Sequence, residues 1–246
     1  MILNVAIDEG DGPPLVLLHG WPQHAGMWRH VVPTLSKRFR CIAPDLRGHG
    51  SSPAPRDGYD KPTLAQDVLD TMEELGIDKA RFMGHDWGAF ITSIMATDHP
   101  TRIERGLMLS APAPWDASLD PRRLAGIAHM PIMASPLGPT VGPQLGKAIL
   151  RGSGVPEADA EDYIAPLREP ARRRAASQYY RQFLLQDLPN GLRSRPDKPE
   201  VPIKVVGGDR DPVCRWSSLD ATFKGEGHFI VDKVPNKVIQ QAEAFL

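Results

Sequence analysis

Short apolar runs alternate with longer amphipathic stretches through the first half of the chain. Leu15 to Leu18, Arg40 to Ala43, Arg81 to Met83 and Gly106 to Leu109 have the length and apolar character of buried strands. Between them, Thr63 to Leu75 and Gly88 to Thr97 carry apolar residues at helical spacing. Strands alternating with helices predict an α/β fold with a mostly parallel, doubly wound sheet, whose ligands bind beyond the carboxyl ends of the strands. From Ala113 to Leu192 the pattern changes: proline and glycine are frequent, the apolar spacing is helical, and Arg172-Arg173-Arg174 reads as a solvated helix face. The strand pattern returns at Val201 to Val206, and a last helix is expected over Asn236 to Leu246. The chain therefore divides into a core of residues 1–112 and 193–246 and an inserted helical cap of residues 113–192.

Composition narrows the function classes. A length of 246 residues with 41% hydrophobic content suits one large domain, or one domain carrying an insertion. The formal net charge of −1 provides no basic field to hold a polyanion, so no nucleic-acid partner is expected. No apolar run approaches the roughly 20 residues that cross a bilayer, and Met1 to Gly20 lacks a secretory pattern, so the expectation is a cytoplasmic protein with no membrane association. Cys41 and Cys214 form no disulfide framework. His19, His24, His30, His49 and His85 show no metal-ligand spacing, and no metal or organic cofactor is expected.

The chemistry is carried by separated motifs. Gly84-His85-Asp86-Trp87-Gly88 reads as a nucleophile elbow, a sharp strand-to-helix turn, with aspartate where serine would serve ester hydrolysis. A carboxylate in a dry pocket can displace a leaving group at saturated carbon, and water then cleaves the ester formed on the enzyme. After the late strand, Gly207-Gly208-Asp209-Arg210-Asp211-Pro212 offers two carboxylates to orient a histidine. Asp211 is preferred, with Asp209 as a turn cap. His228, in Gly225-Glu226-Gly227-His228, then follows as the base. His19-Gly20-Trp21-Pro22 follows the first predicted strand, and the backbone N–H groups of Trp21 and Trp87 would form an oxyanion hole for the carbonyl oxygen of Asp86.

These residues resemble the α/β-hydrolase superfamily, in its branch of epoxide hydrolases and haloalkane dehalogenases that use an aspartate nucleophile. The resemblance spans nearly the whole chain and includes Gly48-His49-Gly50-Ser51-Ser52 after Asp45. It implies an α/β-hydrolase fold with a cap, and closest similarity to epoxide hydrolases, which act on small-molecule epoxides. Ser177-Gln178-Tyr179-Tyr180-Arg181 looks like the epoxide hydrolase cap helix, which would make Tyr180 the acid that opens the ring and Tyr179 a packing residue. Leu124 to Ser135, where the family usually has a second tyrosine, contains His129, either a second donor or a partly exposed helix histidine.

A haloalkane dehalogenase with the same triad is the alternative. Trp87 would serve as a halide donor there, but it also occurs in epoxide hydrolases. Trp21 stands where one kind of dehalogenase has asparagine, and Trp115 fits poorly as the cap tryptophan of another kind. Trp87 and Phe90 replace the arginines of fluoroacetate-cleaving relatives. A non-catalytic ligand-binding protein on the same scaffold is the third reading, kept open by a short path from Asp211 to His228 that would misplace the histidine.

Overall fold

The computed structural model describes residues 1–116, 125–214 and 217–246. Residues 117–124, the early part of the expected cap including Leu124, lie outside the described residues. Seven strands form one sheet: β1 (Val5–Glu9), β2 (Pro14–Leu18), β3 (Arg40–Pro44), β4 (Ala80–His85), β5 (Ile103–Leu109), β6 (Ile203–Gly208) and β7 (Ala221–Phe223). Their order is β1-β3-β2-β4-β5-β6-β7, with β1 antiparallel to β3 and the remaining pairs parallel. β2 to β5 contain the first four apolar runs read from the sequence, and β6 takes in the fifth from Ile203 onward. The edge strands β1 and β7 left no comparable run, because an edge strand has few buried positions to fill. All five residues of β1 are at least partly exposed, and β7 is three residues long with only Phe223 buried.

Among the described residues the α-helices are α1 (Val32–Leu35), α2 (Lys61–Glu74), α3 (Trp87–Asp98), α4 (Met130–Ala134), α5 (Gly138–Gly152), α6 (Glu157–Ile164), α7 (Pro170–Gln182), α8 (Leu188–Arg193), α9 (Ile230–Lys233) and α10 (Pro235–Phe245). Asp60 fixes the start of α2 by accepting the Thr63 N–H at 3.0 Å. Side-chain alternation along β2 feeds two cores. Val16 and Leu18 pack with Leu64, Val68, Ile91 and Met95 of α2 and α3. Leu15 and Leu17 pack on the other face with Trp28, Val238 and Ile239. Each such buried side chain contributes roughly 1.5–3 kcal/mol.

Between β5 and β6 the chain makes a helical excursion, α4 to α8, that fastens onto the core beyond the strand ends. Tyr179 Oη donates to the Arg47 carbonyl at 2.9 Å, and Tyr163 Oη to Asp232 Oδ1 at 2.7 Å. Arg172 is not a solvated charge. Its guanidinium donates to the carbonyl of Ser52 at 2.9 Å, because α7 lies directly on the loop after β3. Among the described residues, no helix is long and apolar enough to cross a membrane.

The parallel registers set Leu18 beside Gly84, His85 beside Leu109, and Gly208 beside Phe223. The segments leaving β2, β4 and β6 consequently emerge on one edge of the sheet, under the excursion.

Candidate active site

Asp86 sits in a backbone conformation that few side chains adopt, with φ 52° and ψ −115°, between the last residue of β4 and the first of α3. Its surroundings over-determine it. A Cβ on Gly88 would stand 2.1 Å from the Leu18 carbonyl oxygen, and one on Gly84 would stand 2.2 Å from that of Gly88, so β2, β4 and α3 meet at a spacing only glycine permits. The Asp86 N–H donates to the Leu109 carbonyl at 3.1 Å, and its own carbonyl accepts the Phe90 N–H that begins α3. The Trp21 N–H donates to Asp86 Oδ1 at 2.9 Å, which requires glycine at position 20, where a Cβ would lie 2.4 Å from that oxygen. Trp87 opens α3, and its amide is one of the first-turn donors that have no acceptor within a helix.

Of the two late carboxylates, Asp211 is the one that reaches the histidine. It is fully buried, and it accepts from His228 Nδ1 at 3.0 and 3.2 Å, from the Val213 N–H at 2.8 Å and from Cys214 Sγ at 3.2 Å. Asp209 is exposed and accepts the Gly225 N–H at 2.7 Å, bracing the loop that carries the histidine. His228 Nε2 faces Asp86 Oδ2 at 3.7 Å, so the short path from residue 211 does not displace the ring. Burial opposes a charge on His228, but Asp211 and Asp86 outweigh it and raise the imidazole from 6.5 to about 9. Burial likewise opposes a charge on Asp211, while His228 and its other donors bring its carboxyl below the usual range.

Above the carboxylate, Tyr180 is buried among three aromatic rings. Trp21, Trp87 and His129 meet it edge-on, with centroids 5.5, 5.3 and 5.4 Å away, and the indole of Trp21 stacks on His129 at 6.3 Å. Burial, reinforced by the charge of Asp86, pushes the Tyr180 phenol well above 10. The hydroxyl therefore keeps its proton at any working pH. Burial lowers His129 below 6.5 against a smaller opposing pull from Asp86, which leaves a neutral ring. Trp115 lies elsewhere, beside Ala89, Met108 and Val205.

Several residues at the site were not singled out from the sequence. The Lys61 ammonium is buried with no hydrogen bond, 4.0 Å from the Trp87 ring centroid and 3.8 Å from Asp187 Oδ2 on the excursion. Burial pulls it down to about 8, against the attraction of Asp187 and Asp86. In sequence it is an ordinary first-turn lysine; the one signal was a cation at the positive end of a helix, where it is disfavoured. Cys214, His85 and Ser110 also bear on the triad through bonds to Asp211 or to the His228 main chain.

The α/β-hydrolase fold family matches residues 13–224, and the chain belongs to it. The soluble epoxide hydrolase of Corynebacterium sp. (strain C12) is 32% identical over 97% of this chain and 92% of the relative. A solved epoxide hydrolase, CorEH without ligand, superposes with a TM-score of 0.82 at 30% identity, covering 96% of this chain and 92% of its own. Haloalkane dehalogenase 2 of Mycobacterium bovis is 37% identical over 53% of this chain but only 44% of the relative. The chain is thus a hydrolase with epoxide hydrolases among its relatives along nearly its full length.

Proposed function

We propose that the protein hydrolyses an epoxide to a vicinal diol through an ester on Asp86, with residues 113–192 acting as the cap over the site. The observation that carries this reading is Tyr180, a protonated phenol held in the field of Asp86 with His129 at its edge. In the first step Asp86 Oδ2 attacks an epoxide carbon, the ring C–O bond breaks, and Tyr180 gives its proton to the released oxygen. His129 is a second donor to that oxygen. In the second step the imidazolium, no longer facing a charged Asp86, first passes its proton through solvent to the Tyr180 phenolate; His228 then takes a proton from water, and the hydroxide adds to Asp86 Cγ. The oxyanion on Oδ1 is received by the N–H groups of Trp21 and Trp87. Collapse expels the diol oxygen, which takes the proton from His228, and the proton left on the Asp86 carboxyl goes to His228, restoring the resting imidazolium. Asp211 keeps the His228 tautomer correct and stabilises its charge.

One observation favours the haloalkane reading. The indole N–H groups of Trp21 and Trp87 are both buried without a hydrogen-bond partner, and such donors suit a departing halide. A paired assay with styrene oxide and a bromoalkane, following diol and bromide separately, distinguishes the two. Diol formation that falls about 100-fold or more in Tyr180→Phe is the expected result. Bromide release without diol would overturn the epoxide reading.

A further inference from the structure

The carbonyl of His228 is held by two side chains from outside its own loop. Ser110 Oγ donates to it at 2.7 Å, and His85 Nε2 lies 3.0 Å away. The Ile230 N–H also donates to it at 2.9 Å. A carbonyl only accepts, so the His85 proton is on Nε2, and its Nδ1 is buried with no partner. Burial, reinforced by the neighbouring His228, lowers His85 to about 4, which keeps this donor neutral and its tautomer fixed.

Neither donor is where it is by default. Ser110 is fully buried at φ 56°, a conformation that favours glycine, and its N–H is spent on the Val206 carbonyl. His85 is the last residue of β4, and Ser110 directly follows β5, so two central strands of the sheet end on one carbonyl of a distant loop. That loop has little structure of its own, since His228 lies between the three-residue β7 and the four-residue α9. Yet its imidazole must meet Asp211 on one side and face Asp86 on the other.

We propose that His85 and Ser110 are positioning residues for the hydrolytic half of the reaction: they pin the His228 main chain so that its imidazole holds water in line with the Asp86 ester. This rests on the two-step reading above. Alkylation of Asp86 does not use His228 as a base, so the clamp serves one step and not the other. Misplacing a catalytic group by about 1 Å lowers its step by up to roughly 100-fold.

The test is rapid mixing of the full chain with styrene oxide, with intact mass reporting adduct formation and decay separately. Ser110→Gly removes the hydroxyl while relieving the backbone, so lost donation is separated from lost stability. His85→Met removes the N–H, and His85→Gln restores a donor. The expected result is adduct decay slowed about 10-fold in Ser110→Gly and in His85→Met. Alkylation should stay within about twofold of the parent, and kcat and KM should fall together so that kcat/KM is preserved. His85→Gln should regain most of the decay rate. Alkylation and decay falling in parallel would mark a general structural role and overturn the proposal, as would unchanged decay in both donor-loss variants. His228→Gln in the same assay separates the two levels: a persistent adduct there with unchanged decay in Ser110→Gly refutes only the clamp. An unmodified His228→Gln beside an active parent refutes the two-step reading and the clamp with it.

Discussion

The two ends of the candidate site are held by different means. Asp86 is fixed by its own neighbourhood: a positive φ, two flanking glycines in contact with neighbouring backbone, and a helix that begins at the next residue. His228 has almost none of this and is held by groups remote in sequence: Asp211 through the ring, and Ser110 and His85 through the carbonyl. The first end is a local motif, and the second is an assembly. A local motif tolerates no substitution at its glycines. An assembly loses its parts one at a time, each with a smaller and more selective effect.

The sharpest way to break this contrast is Gly88→Ala. The added Cβ would lie 2.1 Å from the Leu18 carbonyl oxygen and 2.7 Å from that of His19, backbone atoms that cannot swing aside as a side chain would. The expected outcome is loss of alkylation to below detection, with roughly 3 kcal/mol less stability and a Tm lower by roughly 6–12 °C. Retained alkylation would show that the elbow is less constrained than its spacing implies. Gly208→Ala probes the other end. Its Cβ would meet the Glu226 carbonyl oxygen at 2.1 Å, but residues 225–227 form a loop that can shift. Alkylation should persist while adduct decay slows about 10-fold, and equal damage to both steps would erase the distinction between the two ends.

The smallest effect is a pH dependence of stability. His228 is raised in the folded state from 6.5 to about 9, so it binds its proton more tightly folded than unfolded. Its contribution is complete below about pH 6.5 and is lost as pH rises through about 9. The Tm difference between the parent and His228→Gln should therefore shrink by a few degrees between pH 6 and pH 9.5 in thermal melts. A difference that widens with pH would contradict the charge pairing with Asp211 and Asp86.

The same contrast explains what could be read from the chain. Strands buried on both faces leave unbroken apolar runs, so β2 to β6 were visible, whereas β1 and β7 at the edges were not. The elbow was legible because its constraint is local: glycine, three residues and glycine carry it within five positions. Asp211 was separable from Asp209 only through the turn pattern, and the buried carboxylate's acceptance from three donors appears only in three dimensions. Ser110 and His85 gave no signal as donors, because their shared acceptor lies 118 and 143 positions away. Lys61 became unusual only when the excursion buried it against Trp87 and Asp187. Arg172 was misread for the same reason, since the carbonyl that it meets belongs to a loop 120 residues earlier.

The 3.7 Å between His228 Nε2 and Asp86 Oδ2 has a consequence for timing. While Asp86 carries its charge, it helps to keep the imidazole protonated and so restrains it from acting as a base. Ester formation on Asp86 would remove that charge and leave Asp211 alone to hold the proton, so the imidazole would become easier to deprotonate just when a water needs activating. Under the two-step reading, the nucleophile is also the switch that releases the base, and the order of the reaction is written into one distance.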